Sequence, residues 1–109
     1  GDGFTWDTQD DAKDRESARA AWAQALAYLA DPKLDLLILD EFTYALKYGW
    51  LTLDEVRHGL DGRPAMQHVI LTGRAAPEGL IELADTVSEM RPIKHAYEAG
   101  VQAMPGIEW

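Results

Sequence analysis

The stretch LDLLILDEFTYAL, residues 34–46, decides the fold, because an apolar run ends there in two acids. Residues 36–39 are apolar at every position, and such continuous hydrophobicity is typical of a parallel strand covered by helices on both faces. We therefore predict a strand over residues 36–40. Asp40 and Glu41 follow at its carboxyl end, which is where open α/β sheets bind their ligands.

The segments around this strand predict helices. An apolar stripe that recurs with helical spacing predicts a helix over residues 11–30, with Trp22 in the core. TYALKYG, residues 43–49, predicts a short helix or turn. Thr52 and Glu55 then form the capping-box pattern that starts another helix, which ends at Gly62.

Two further strands are predicted downstream. HVILT, residues 68–72, has the composition of a second buried strand, and DTVSEM, residues 85–90, predicts a third. Between them, Pro77 suits the first position of a helix. The order of elements predicts a single α/β domain over residues 1–109, with a mostly parallel sheet and flanking helices. Three strands that are apolar on both faces leave the sheet incomplete, so we expect more strands from upstream sequence or another chain.

Composition excludes several classes of protein. The formal net charge is −9, which disfavours non-specific binding to nucleic acid. There are no cysteines, so disulfides and thiolate metal sites are excluded. No apolar run approaches the ~20 residues that a membrane span needs. These features predict a soluble cytoplasmic protein that binds neither nucleic acid nor membranes.

The acidic pair resembles the second acidic motif of phosphate-loop nucleotidases, in which carboxylates at the end of a strand bind Mg²⁺. In this interpretation Asp40 and Glu41 are metal ligands. The alternative is that they only cap the short helix near Thr43. The partner motif G-x-x-x-x-G-K-[ST] does not occur in the 109 residues. We therefore expect the phosphate-binding loop to lie upstream of Gly1.

Four segments in this order resemble the ATP:corrinoid adenosyltransferases, which act on cob(I)alamin and cob(I)yrinic acid a,c-diamide. They are GDGFTWDTQD (1–10), LILDEFTYALKYGWL (37–51), HVILTGRAAPEGLIELADTVSEMRPIKHAYEAGVQA (68–103) and GIEW (106–109). The resemblance covers essentially the whole chain and implies the C-terminal part of a longer domain. That domain would have the RecA-like phosphate-loop fold, with its N-terminal phosphate-loop segment outside this chain.

The resemblance also implies a function. Such enzymes transfer the 5′-deoxyadenosyl group of ATP to the Co(I) atom of a corrinoid in cobalamin biosynthesis and salvage, and release triphosphate. It further implies Mg²⁺, a flavodoxin-like reductant and a homodimer. The alternative is a non-catalytic corrinoid-binding module that needs another segment to bind ATP. A helicase-type nucleotidase fragment is a third interpretation, but the acidic composition and the GFTW segment disfavour it.

Roles of individual residues follow from matching positions. Phe4 and Trp6 match aromatic residues that pack beside the corrin and displace its lower axial ligand, and Glu41 joins them as a catalytic candidate. Without the resemblance, Phe4 and Trp6 would be a hydrophobic staple for the first helix.

The remaining matched residues are candidates for binding the nucleotide or the corrinoid. Arg74 can contact phosphate or a corrin carboxamide, or it can form a salt bridge with one of the many acids. The basic tail residues can bind an anion, or they can simply lie on the surface. The full set of binding candidates is Asp40, Thr72, Gly73, Arg74, Arg91, Lys94 and His95.

Overall fold

The computed structural model describes residues 11–94, which contain four helices and a two-stranded parallel sheet. The alternation of helix and strand predicted from the sequence is confirmed as far as the last helix. In chain order the elements are α1 (Asp11–Leu29), β1 (Leu36–Leu39), α2 (Thr43–Lys47), α3 (Leu53–Asp61), β2 (His68–Leu71) and α4 (Glu78–Leu83).

The longest element, α1, packs against the core through the stripe that its sequence predicts. Trp22, Ala25 and Leu29 are buried, so the core position expected for Trp22 is confirmed. Arg19, on the same helix, donates hydrogen bonds to the carbonyl of Trp50 at 3.0 Å and to both carboxylate oxygens of Glu55. These bonds hold α1 against the segment that leads into α3.

The capping box predicted at the start of α3 is present. The backbone amide of Glu55 donates to the Thr52 hydroxyl at 3.2 Å, and the backbone amide of Thr52 donates to Glu55 Oε2 at 2.8 Å. Two amides that would otherwise lack a partner are therefore satisfied. Among the described helices, none is both long and apolar enough to cross a membrane.

The two faces of the sheet have different environments. β1 and β2 pair in parallel, so that Ile38 lies beside Ile70. Leu37, Leu39, Val69 and Leu71 point to one face and pack against the core formed with α1, α3 and α4. On the other face Leu36, Ile38 and Ile70 are 46%, 56% and 48% exposed. Burial on both faces was therefore a wrong prediction for residues 11–94, because the described helices cover only one face.

The third predicted strand is also absent from the described structure. Residues 85–90 form no strand, and Val87 and Met90 are 56% and 93% exposed. A strand needs a neighbour to satisfy its backbone groups, and within residues 11–94 this segment pairs with neither β1 nor β2. The helix α4 begins one residue later than predicted, at Glu78 instead of Pro77. Pro77 is the N-cap of α4, with ψ at 147°, rather than its first helical residue.

Candidate functional site

The candidate site is formed by two loops that follow the two parallel strands. The first segment, residues 40–43, leaves β1 and includes the first residue of α2, and the second, residues 72–75, leaves β2. Because the strands are parallel and in register, their carboxyl ends lie side by side, and so do the loops. We call these two segments together the strand-end loops.

The first strand-end loop separates polar from buried residues by a sharp turn of the backbone. Glu41 has a φ of 54°, in the left-handed region that side chains other than glycine rarely adopt. The turn leaves Asp40 and Glu41 exposed, while Phe42 and Thr43 are buried at 9% and 4% exposure. Phe42 packs against Trp22, with their ring centroids 5.8 Å apart. Burial of Phe42 thus anchors the loop and keeps both carboxylates at the surface.

Thr72 joins the two strand-end loops on their exposed side. Its hydroxyl donates to Asp40 Oδ1 at 2.6 Å and accepts from the backbone amide of Glu41 at 3.0 Å. Its carbonyl accepts from the backbone amide of Phe42 at 2.7 Å. The hydroxyl therefore orients one acid side chain and holds the strained backbone of the next residue.

The second strand-end loop needs glycine at position 73. Gly73 has a φ of 155°, and a Cβ atom added there would lie 2.0 Å from Thr43 Oγ1. The next residue, Arg74, is exposed, and its carbonyl accepts a hydrogen bond from Thr43 Oγ1 at 2.9 Å. The hydrogen bond from Thr43 therefore fixes the backbone of Arg74 beside the loop that carries the acidic pair.

The alternative role of the acidic pair as a helix cap is not seen. The N-cap of α2 is Phe42, and no side chain forms a cap hydrogen bond there. The alternative for Arg74 is not seen within the described range either, where the salt bridges join Arg19 to Glu55 and Arg57 to Asp54.

The carboxylate oxygens of the acidic pair are suitable ligands for a magnesium ion. Mg²⁺ prefers carboxylate oxygens, and it usually takes only one or two from the protein and the rest from water and substrate phosphates. The bond from Thr72 engages Asp40 through Oδ1 alone, and both carboxylates are exposed. In residues 11–94 no three acidic or imidazole side chains are placed to share a metal ion. A metal here would therefore need further ligands from water or from a bound phosphate.

Other candidates from the sequence are not brought to this site by any bond in the described structure. Arg91 and Lys94 are exposed in the segment after α4, and within residues 11–94 no hydrogen bond or salt bridge links either of them to the strand-end loops. Phe4, Trp6 and His95 lie outside the described residues.

Sequence reasoning missed Thr43, which packs on Gly73 and bonds to the carbonyl of Arg74. Its position three residues after Asp40 carries no signal of this role. The contact crosses 31 residues of chain and depends on the parallel pairing of the strands.

The described structure is thus a small parallel α/β unit with two carboxylates after one strand and an arginine after the next. A family model described as ATP:corrinoid adenosyltransferase BtuR/CobO/CobP matches residues 1–109. The chain belongs to this family.

Several relatives are named corrinoid adenosyltransferase. The one from Pseudomonas aeruginosa is 53% identical over 109 residues, which is 100% of this chain and 54% of that protein. The one from Escherichia coli K12 is 50% identical over 98% of this chain and 55% of its own length. A Sinorhizobium relative is 44% identical over 100% of this chain and 51% of its own length. The chain thus spans about half the length of these relatives.

Proposed function

We propose that this chain is part of an enzyme that transfers the 5′-deoxyadenosyl group of ATP to the Co(I) atom of a corrinoid. The observation that carries the proposal is the joined pair of strand-end loops, in a chain that the adenosyltransferase family matches over its whole length. In this reaction Co(I) gives its electron pair to the ribose 5′ carbon. The bond from that carbon to oxygen breaks, and triphosphate leaves with the bonding electrons.

The residues of the strand-end loops suit the charge that the leaving group develops. Asp40 and Glu41 would hold Mg²⁺, which neutralises triphosphate when it is bound, and Arg74 would add a cationic donor from the neighbouring loop. Thr72 would act through Asp40 rather than on the nucleotide, because its hydroxyl is already engaged with the acidic pair. No general base is required, since cobalt itself is the nucleophile.

We further propose roles for the other matched residues, supported by the family alone. Phe4 and Trp6 would offer an apolar wall to the corrin, which leaves cobalt without a lower ligand and makes Co(II) easier to reduce. Arg91, Lys94 and His95 would bind anionic groups of the nucleotide or the corrinoid. A flavodoxin-like protein would supply the electron, and the complete enzyme would be a cytoplasmic homodimer.

We also propose that residues 1–109 are the C-terminal part of a larger domain of the RecA-like phosphate-loop type. Two observations support this. The curated relatives are about twice as long, and the sheet exposes Leu36, Ile38 and Ile70 on the face that its own helices leave uncovered. The missing G-x-x-x-x-G-K-[ST] loop would lie in that other part, and its strands and helices would complete the sheet.

The proposed reaction is tested by an anaerobic assay on the complete polypeptide. Chemically reduced cobalamin and Mg²⁺-ATP are mixed with the protein, and loss of the Co(I) absorbance is followed together with release of triphosphate. We expect turnover, and we expect Glu41→Gln to raise the Mg²⁺ concentration needed for half-maximal rate by about tenfold, because one carboxylate ligand becomes a neutral amide.

The matched control is Glu82→Gln. Glu82 is an exposed acid on α4, and its substitution changes the net charge of the protein by the same amount as Glu41→Gln does. Glu82→Gln should leave the metal dependence unchanged. Corrinoid binding without adenosyl transfer by the complete polypeptide would instead support the non-catalytic binding module. An unchanged metal dependence in Glu41→Gln would remove this residue from the metal site.

A further inference from the structure

Thr43 has a hydroxyl that its own helix does not use. It is the first residue of α2 and is only 4% exposed. A threonine near the start of a helix commonly bonds to nearby backbone groups of the same helix. Here Oγ1 instead donates to the carbonyl of Arg74, 31 residues further along the chain, at 2.9 Å. The side chain is therefore committed to a contact between two loops.

The same side chain also packs directly on the backbone of Gly73. A Cβ atom at that position would lie 2.0 Å from Thr43 Oγ1 and 2.7 Å from Cγ2, so only glycine allows the approach. Thr43 thus contacts two consecutive residues of the second strand-end loop. The contact fixes the path of the backbone into Arg74 from the buried side.

The exposed side of the strand-end loops is joined by Thr72, whose bonds to Asp40 and Glu41 compete with water. The Thr43 bond is partly shielded from such competition, because Thr43 is buried although Arg74 is exposed. The loops also contain both described non-glycine residues with positive φ, Glu41 at 54° and Ala75 at 49°. Such strained conformations persist only where surrounding contacts hold them. Thr43 is the buried contact that lies between the two.

We propose that Thr43 is a positioning residue for the nucleotide site, which sets Arg74 at a fixed place relative to Asp40 and Glu41. The identity of the ligand, Mg²⁺-ATP, rests on the proposed function. The contact between Thr43 and the second strand-end loop is observed directly. Thr43 does not touch the nucleotide. It acts by holding the arginine loop against the acidic loop, so that the cation and the metal ligands face the same triphosphate.

The test compares Thr43→Val with Thr43→Ser in the complete polypeptide. Valine keeps the shape but leaves the Arg74 carbonyl without its donor, whereas serine keeps the hydroxyl. We expect Thr43→Val to raise both the Kd for Mg²⁺-ATP and the KM for ATP by roughly 5- to 30-fold, because the Arg74 carbonyl loses the donor of a partly buried hydrogen bond. Thr43→Ser should stay within about threefold of the wild type. Amide hydrogen exchange over residues 73–75 should be faster in Thr43→Val.

The control is Thr52→Ala, which also removes a threonine hydroxyl that bonds to backbone, but at the capping box of α3. It should lower the melting temperature without changing the Kd or the exchange over residues 73–75. If Thr43→Val does not fold, Thr43→Ala is measured in its place, since it also removes the hydroxyl without adding a methyl group.

The outcomes separate this inference from the proposed reaction. Unchanged Kd and unchanged exchange in folded Thr43→Val would overturn the positioning role, and so would a serine variant as impaired as the valine variant. If the wild type binds Mg²⁺-ATP but transfers no adenosyl group, the proposed reaction fails. The role of Thr43 would then still be supported by the weaker Kd and faster exchange of Thr43→Val.

Discussion

At the scale of single residues, the strand-end loops depend on the close approach of Gly73 to Thr43. Alanine at position 73 would place its Cβ 2.0 Å from Thr43 Oγ1 and would also be strained at a φ of 155°. We expect Gly73→Ala to lower the free energy of unfolding by roughly 1–3 kcal/mol or more, measured by denaturant titration.

Gly62 offers the matched control. It is the C-cap of α3 with a φ of −81°, and an added Cβ would meet its nearest atoms at 3.7 Å. Gly62→Ala should therefore be neutral or stabilise the fold by about 0.4–1 kcal/mol through the unfolded state. Equal losses in both variants would mean that the approach of Thr43 to Gly73 is not what requires glycine.

At the scale of elements, Glu55 links the capping box of α3 to α1. The bond from the Thr52 amide, followed by the bond from Arg19, holds the pKa of Glu55 below its ordinary value of 4.5. A carboxylate whose pKa is lower in the folded state than in the unfolded state stabilises the fold above pH 4.5. That stability is lost as the pH falls below 4.5 and through the folded pKa.

We therefore expect Glu55→Gln to be less stable than the wild type at pH 7 in urea titrations. The two stabilities should converge as the pH is lowered below about 4.5, because the wild-type carboxylate then becomes protonated. The Thr52 amide can still donate to the glutamine oxygen, and the amide of residue 55 still donates to the Thr52 hydroxyl. The difference at pH 7 therefore reports the loss of the charge together with a bond from Arg19. A difference that stays constant down to pH 3 would contradict this role of the Glu55 charge.

At the scale of the whole molecule, one face of the described sheet exposes the apolar side chains of Leu36, Ile38 and Ile70. If the rest of a larger domain covers this face, a charge placed on it should favour the soluble monomer of the 109-residue chain but destabilise the complete polypeptide. Ile38→Glu with Ile70→Glu should reduce self-association of the 109-residue chain, as measured by analytical ultracentrifugation. In the complete polypeptide the same pair should cost about 2 kcal/mol or more, since it buries unpaired charge.

Met66→Glu is the control, because Met66 is 80% exposed in the turn before β2 and belongs to neither strand. It should change neither self-association nor the stability of the complete polypeptide. Tolerance of the paired substitutions in the complete polypeptide would show that the face stays open to solvent. The sheet would then not extend as we propose.

Much of the fold was predictable because its signals are local. Helical spacing of apolar residues located α1, and the capping-box pattern located the start of α3 to the residue. The apolar runs located both strands to within one residue at their carboxyl ends. The third strand was a wrong prediction, since a β-strand is completed by its neighbour and residues 85–90 have none in the described structure.

The sequence by itself determined the helices, the first two strands and the two carboxylates after a strand, since these depend on residue spacing within one turn or one strand. Only the tertiary structure decided which side chains meet at the site. Thr43, Thr72 and Gly73 act through contacts across about 30 residues of chain, and those contacts exist because two parallel strands end side by side. Residue spacing along the chain does not predict such contacts, because strand pairing and the packing of Phe42 beneath the acidic pair determine them.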